Sequence, residues 1–186
     1  MISLAVLAAT ACSSSEEPSA SSAKPSPQRA TATPIETTGV KEDTVCKATL
    51  TEAQQEAIGV WEAEPLSGEG EVSCYFTMTP DKDNAAGYVV SLFENEKALL
   101  QTADATDPSP TKAVPVTVKG RNAARQIMFG DDWRASLTVD IGAGQYLYVE
   151  RYSPGHLVSE KDLNAQTRRV TEQVLGNLEK SSAEGA

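Results

Sequence analysis

The sequence predicts an α+β fold, in which helices near both ends of a single domain cover a mostly antiparallel sheet of about six strands. Three observations carry that prediction. Residues 45–180 have the composition and length of one ordinary globular domain. Strand-like alternation of apolar and polar residues recurs through the middle of this stretch. Its last segment instead has apolar residues at helical spacing.

The helices at the two ends of the domain are predicted from their capping residues. Thr51 and Gln54 match a capping box, which predicts a short helix over 52–58. Ser159 is followed by Asp162 at the start of the C-terminal helix, where a side chain can cap the first free amides. The apolar side of that helix has five members at helical spacing: Leu163, Thr167, Val170, Val174 and Leu178.

The strands are predicted from alternating segments that are separated by turn-forming residues. Six segments qualify: 72–78, 87–93, 113–118, 124–129, 133–141 and 145–152. A turn over 80–84 joins the first two, and a short helix over 95–101, capped by Asn95, follows the second.

The last two strands form a predicted hairpin with a defined register. A three-residue loop at 142–144 pairs Val139 with Leu147 and Leu137 with Val149, all facing the core. The opposite side then becomes a candidate binding face, made of Tyr146, Tyr148, Tyr152, Arg134, Ser136 and Thr138. Aromatic rings with polar tips suit recognition of proteins or glycans. The alternative is that a helix covers these tyrosines.

The N-terminal residues predict a targeting signal. Leu7–Cys12 is an apolar run that ends in small residues and a cysteine, and it is too short to span a bilayer. It resembles a bacterial lipobox, so residues 1–11 are predicted to be a lipoprotein signal peptide and Cys12 the lipidated residue. The protein would then be held on the extracytoplasmic face of the cell membrane. The pattern Ala9-x-Ala11 leaves a second interpretation open, in which a soluble protein with a free Cys12 is released.

A polar tether is predicted over 12–44, and a disordered tail over 181–186. Ser13–Thr44 contains 20 Ser, Thr, Pro or Ala among 32 residues and no aromatic residue. Such a composition does not support a core. It is also the composition of O-glycosylated stalks, so glycosylation of the tether stays open.

Three cysteines in an exported chain leave one unpaired unless one of them is modified. Lipidation of Cys12 leaves Cys46 and Cys74, which are 28 positions apart. An oxidising compartment favours a disulfide between them. Buried free thiols are the alternative.

Motifs for catalysis or cofactor binding are weak. His156, the only histidine, lies in a predicted turn, and the chain has no nucleophile-elbow motif. Asp81-x-Asp83 begins like a calcium loop, but alanines occupy the next ligand and turn positions. The formal net charge of −10 disfavours nucleic acid as a partner. The sequence thus predicts a protein that binds no cofactor or metal and is not an enzyme. It leaves the oligomeric state open.

Four segments carry a family resemblance: Val45–Thr51, Cys74–Phe76, Val116–Ala124 and Val139–Leu147. They look like an actinobacterial lipoprotein family catalogued as domain of unknown function 3558, and the similarity covers the lipobox, the tether and the domain. Many members carry another cysteine near Trp133, which is absent here, so a further bridge of that kind is excluded. The resemblance implies an envelope location and no established activity.

Two classes of function follow. The favoured one is a lipid-anchored, non-catalytic binding or accessory module for an envelope protein, lipid or glycan. The alternative is an envelope hydrolase with an unrecognised active site, which would require His156 beside a serine or carboxylate in a pocket.

Overall fold

Seven antiparallel strands form one sheet in the computed structural model, which describes residues 32–79, 86–94, 113–154 and 158–184. The strands are β1 Glu62–Gly68, β2 Glu71–Thr77, β3 Gly87–Glu94, β4 Val114–Val118, β5 Arg121–Phe129, β6 Asp132–Gly142 and β7 Gln145–Pro154. Their order across the sheet is β1-β2-β3-β7-β6-β5-β4. The helices are α1 Glu42–Thr49, α2 Glu52–Ala57 and α3 Glu160–Glu184. The α+β prediction is confirmed, with one strand more than expected.

Helices α1 and α3 pack on one face of the sheet, here called the helix-covered face. Each strand sends every second side chain to this face, as the period of a strand requires. Leu137 and Val139 of β6 belong to the same buried cluster as Val170 and Val174 of α3. All five residues of the predicted apolar side of α3 are buried, and Thr171 and Leu175 join them.

Both predicted helix starts are confirmed. The Thr51 hydroxyl accepts a hydrogen bond from the Gln54 amide, and the Gln54 side chain accepts one from the Thr51 amide. The Asp162 amide donates to the Ser159 hydroxyl. Helix α3 continues through Glu184, so the predicted disorder of 181–186 is wrong for 181–184.

The Cys46–Cys74 disulfide is confirmed, with the two Cα atoms 5.1 Å apart. It joins α1 to β2, and the Cys74 side chain is fully buried beneath the sheet. Cys46 lies inside α1, a helix that the sequence analysis does not predict. The bond therefore fastens the N-terminal helix to the second strand from the edge.

The β6–β7 hairpin has the predicted register, with Val139 opposite Leu147 and Leu137 opposite Val149. Its loop is shorter than predicted, because Gly142 already pairs with Gln145. Ala143 and Gly144 have φ of 54° and 77°, the left-handed pair of a two-residue turn. A register shift between Asp140 and Gly142 accommodates the extra residue.

Residues 33–40 form an N-terminal strap that crosses one end of the sheet. The Ile35 amide donates to the Ile141 carbonyl at 2.9 Å, and the Thr37 hydroxyl donates to the Gln145 side chain at 2.7 Å. Ile35 is only 2% exposed and belongs to the core. The predicted tether boundary at residue 44 is therefore wrong, because the chain is already packed from the strap onward.

Two further contacts hold the start of the strap. Arg121 donates to the Thr33 carbonyl at 2.8 Å while its guanidinium pairs with Glu179 of α3 at 3.3 Å. Pro34 lies so close to Gly142 that a Cβ there would stand 2.8 Å from the proline ring. Glycine is thus needed at 142 both for the close approach and for its φ of 92°.

The two edge strands, β1 and β4, each contain a proline, Pro65 and Pro115. Proline cannot donate to another strand, so it suits an edge that must not pair further. Strand β1 escapes sequence prediction because six of its seven residues are exposed and it lacks apolar alternation. The predicted turn at 80–84, the predicted helix at 95–101, Cys12 and His156 lie outside the described residues.

Candidate functional site

The predicted binding face lies on the side of the sheet opposite α1 and α3, here called the polar face. Arg134 pairs with Tyr152, and Thr138 pairs with Tyr148, across β6 and β7. Ser136 lies between them, opposite Glu150. The structure thus brings together the tyrosines, arginine and hydroxyl residues that the hairpin register predicts.

The exposure of this face is uneven. Ser136 and Thr138 are only 3% and 7% exposed, and the three tyrosines are half-buried. Tyr146 stacks on Phe93 of β3, with ring centroids 5.9 Å apart. The face is therefore a recess with an aromatic rim and not a flat array of exposed rings.

The Tyr152 ring covers a glycine of the neighbouring strand. A Cβ at Gly87 would stand 2.5 Å from the Tyr152 hydroxyl oxygen and 2.2 Å from the Phe76 carbonyl oxygen. Only glycine lets β3 approach so closely. Burial raises the pKa of the Tyr152 phenol, and a hydrogen bond with Thr77 opposes that rise. Tyr152 thus belongs to the packing of the polar face more than to its recess.

A cavity of about 480 Å³ occupies the recess between β1 and β6. Its volume lies within the range of small-molecule sites. Its described lining consists of Leu66, Ser67, Gly68, Glu71, Ser73, Tyr75, Val89, Ser91, Phe93, Met128, Arg134, Tyr148 and Glu150. Eight of these thirteen residues carry polar side chains, so the cavity is a mainly polar recess with an apolar part formed by Leu66, Val89, Phe93 and Met128.

Glu150 is a carboxylate on the cavity floor, only 7% exposed. It accepts a hydrogen bond from the Tyr148 hydroxyl, and its other oxygen lies 3.8 Å from Arg134 Nη1. Burial raises the pKa of the Glu150 carboxyl, while the Tyr148 hydrogen bond and the Arg134 charge lower it. Burial, with the neighbouring Glu150 charge, also raises the pKa of Tyr148 well above its usual value.

Two serines on paired strands form the second part of the floor. Ser73 of β2 and Ser91 of β3 are directly opposite each other, and their hydroxyl oxygens are 2.8 Å apart. Ser73 also donates to the Glu71 carboxylate at 2.6 Å. This chain of hydrogen bonds runs from the buried serines to a carboxylate at the cavity wall.

Sequence reasoning missed the half of this site that β1, β2 and β3 supply. Alternation in β2 and β3 indicates which side chains share a face, and Ser73, Tyr75, Val89 and Ser91 do. The pairing of β3 with β7, which brings them to the tyrosine hairpin, joins strands more than 50 residues apart. No local pattern specifies such a pairing.

The described residues contain neither a metal-binding cluster nor a membrane-spanning helix. Within residues 32–79, 86–94, 113–154 and 158–184, no cluster of three or more histidine, cysteine or acidic side chains has the geometry to hold a metal ion. None of the helices described in those ranges is long and apolar enough to cross a bilayer.

Comparison of the chain with protein-family models, with curated proteins and with solved structures found no match. The site must therefore be interpreted from its own chemistry.

Proposed function

We propose that this protein is a lipid-anchored, non-catalytic binding module of the cell envelope, and that the polar-face cavity is its ligand site. The observation that carries the proposal is the cavity itself. Apolar side chains such as Val89 and Phe93 form its walls, while Ser91 and Glu150 place polar groups on its floor. Sites for small molecules combine apolar surface with polar groups that fix the orientation of the ligand.

A binding role fits the chemistry of the lining better than a hydrolytic one. A serine nucleophile needs an adjacent base whose pKa lies near the working pH, most often histidine. The described lining contains no histidine, and the Ser73 hydroxyl is bonded to a carboxylate, Glu71. These groups can orient a ligand without activating a nucleophile.

The cysteine pattern supports the envelope assignment. Cys46 and Cys74 are joined, which leaves Cys12 as the third cysteine of the chain, next to the lipobox-like residues. A disulfide in the domain is typical of an oxidising compartment. Residues 13–32 would then connect the lipidated cysteine to the domain, since the strap begins at Thr33.

Cys12→Ser tests the anchor. We expect the variant to move from the membrane fraction to the soluble fraction, because diacylglycerol and amine acylation together supply more than the two hydrophobic signals that stable attachment requires. Fractionation in high salt, with wild type in parallel, measures the change. A Cys12→Ser protein that stays with the membrane would contradict lipidation at this position.

Val89→Trp tests the cavity. Val89 is half-buried in the cavity lining, so an indole there fills the space that a ligand would occupy. We expect affinity capture from the native envelope, followed by mass spectrometry, to recover a ligand with wild type and to lose it with this variant. Val114→Trp is the matched control, because Val114 is 43% exposed on the edge strand β4. Equal capture by wild type and both variants would exclude the cavity as the site.

A further inference from the structure

Four of the five hydroxyl groups in the described cavity lining already donate their hydrogen atoms to other groups of the protein. Ser73 has one hydroxyl hydrogen and donates it to Glu71, so the Ser73–Ser91 hydrogen bond must be donated by Ser91. Ser67 donates its hydroxyl hydrogen to Glu42 of α1 at 2.6 Å. Tyr148 donates its own to Glu150. The hydroxyls of Ser73, Ser91 and Tyr148 therefore present only lone pairs to a ligand, while the Ser67 hydroxyl is turned to α1 on the helix-covered face.

The described lining is consequently rich in acceptors and poor in donors. Glu71 and Glu150 are acceptors when ionised, and Ser91 keeps free lone pairs on the floor. Among the described lining side chains, only Arg134 and Tyr75 keep hydrogens to donate, and the Arg134 side chain is 46% exposed. A ligand group that only donates hydrogen bonds complements this surface, whereas a group that only accepts them does not.

The charge of the cavity and its aromatic rings both favour a cationic ligand. The lining contains two carboxylates and one guanidinium, so the formal charge of the cavity is negative when both acids are ionised. The formal net charge of the whole chain is also negative. Phe93, Tyr75 and Tyr148 place aromatic rings around the polar floor. Such rings attract cations through their faces.

We propose that the cavity binds a primary ammonium group carried on an apolar or amphiphilic body. The ammonium has three donors and no acceptor, which matches Ser91 on the floor and Glu71 at the wall. Leu66, Val89 and Met128 supply the apolar wall for the rest of the molecule. This inference rests on the proposed function, since both use the same cavity, and it goes further by naming the ligand's chemistry.

Three probes of one size separate charge from shape: hexylammonium, hexanol and hexanoate. Each is titrated into the full domain at neutral pH while backbone amide resonances are followed by NMR. We expect hexylammonium to shift the amides of Ser73, Ser91 and Glu150 and to bind at least roughly tenfold more tightly than hexanol, the factor expected when one charge-assisted hydrogen bond is added. Hexanoate should produce no saturable shift of these amide resonances.

Glu71→Gln and Glu56→Gln form a matched pair of variants, since each removes one negative charge. Glu71 lies in the cavity lining, whereas Glu56 is exposed on α2. We expect Glu71→Gln to weaken hexylammonium binding roughly tenfold. Glu56→Gln should change it by less than about twofold, because Glu56 is exposed outside the cavity lining, where salt screens its charge.

The outcomes distinguish this inference from the proposed function. Hexanol or hexanoate binding as tightly as hexylammonium, at the same amides, would overturn the ammonium assignment and leave the cavity as a ligand site. Hexylammonium shifts confined to another surface, or no shifts at all, would also overturn it. Loss of native-ligand capture by Val89→Trp is a separate result that does not depend on the charge of the ligand.

Discussion

Replacing both Cys46 and Cys74 with serine is expected to lower the free energy of unfolding by about 3–4 kcal/mol. The disulfide closes a loop between residues separated by 28 positions, and without it the unfolded chain regains the entropy that this closure removes. The native state would also lose the covalent link between α1 and β2. A loss of that size should lower Tm by roughly 10 °C in a domain of this length.

Urea unfolding of wild type and the double variant, each with and without reductant, measures this difference. Reductant should bring wild type down to the stability of the variant and should leave the variant unchanged. A variant as stable as oxidised wild type would mean that the packing of α1 on the sheet is sufficient without the bond.

Ile35→Ala is expected to lower the free energy of unfolding by about 2–3 kcal/mol. Ile35 is 2% exposed, and its side chain fills space between the strap and the core. The expected loss is at the lower end for an isoleucine truncation because the strap lies at the end of the sheet, where it can partly close the space.

Val114→Ala is the control for that truncation, because Val114 is also β-branched but is 43% exposed. Its substitution should change stability by less than about 0.5 kcal/mol. Urea unfolding of the two variants and wild type gives the comparison. Equal effects of Ile35→Ala and Val114→Ala would show that the strap is not part of the stable domain.

The elements that the sequence predicts correctly are those with local rules. Helix α3 repeats one apolar spacing over more than four turns, so Leu163 and Leu178 both face the core as expected. The β6–β7 hairpin is specified by alternation together with a glycine-rich turn, which fixes Val139 opposite Leu147. Even the short helix α2 follows from the Thr51 capping box.

The elements that it misses depend on tertiary contacts. Ile35 and Val40 are the only large apolar residues in Ser13–Thr44, and the burial of Ile35 follows from pairing with the distant Ile141. Strand β1 has the composition of a loop and is a strand only because β2 offers it a free edge. Neither contact leaves a periodic pattern in the sequence.

One part of the candidate site could likewise be predicted from local rules, and the other part depends on tertiary contacts. The hairpin register predicts correctly that Arg134 and Tyr148 share a face. It does not indicate that β3 lies beside β7, which brings Ser91 opposite Tyr148 and completes the floor of the cavity. Glu150 carries the buried charge of the site, but a single acidic residue between two tyrosines predicts no such role from sequence.

The central claim is that the protein binds its ligand in the polar-face cavity. The most direct test is an amide chemical-shift map of the purified domain with the molecule recovered by affinity capture. The largest shifts are expected at Ser73, Ser91 and Glu150, with little change along the buried side of α3. Shifts concentrated on α3 or on the outer edge of β1, with those three amides unmoved, would contradict the claim.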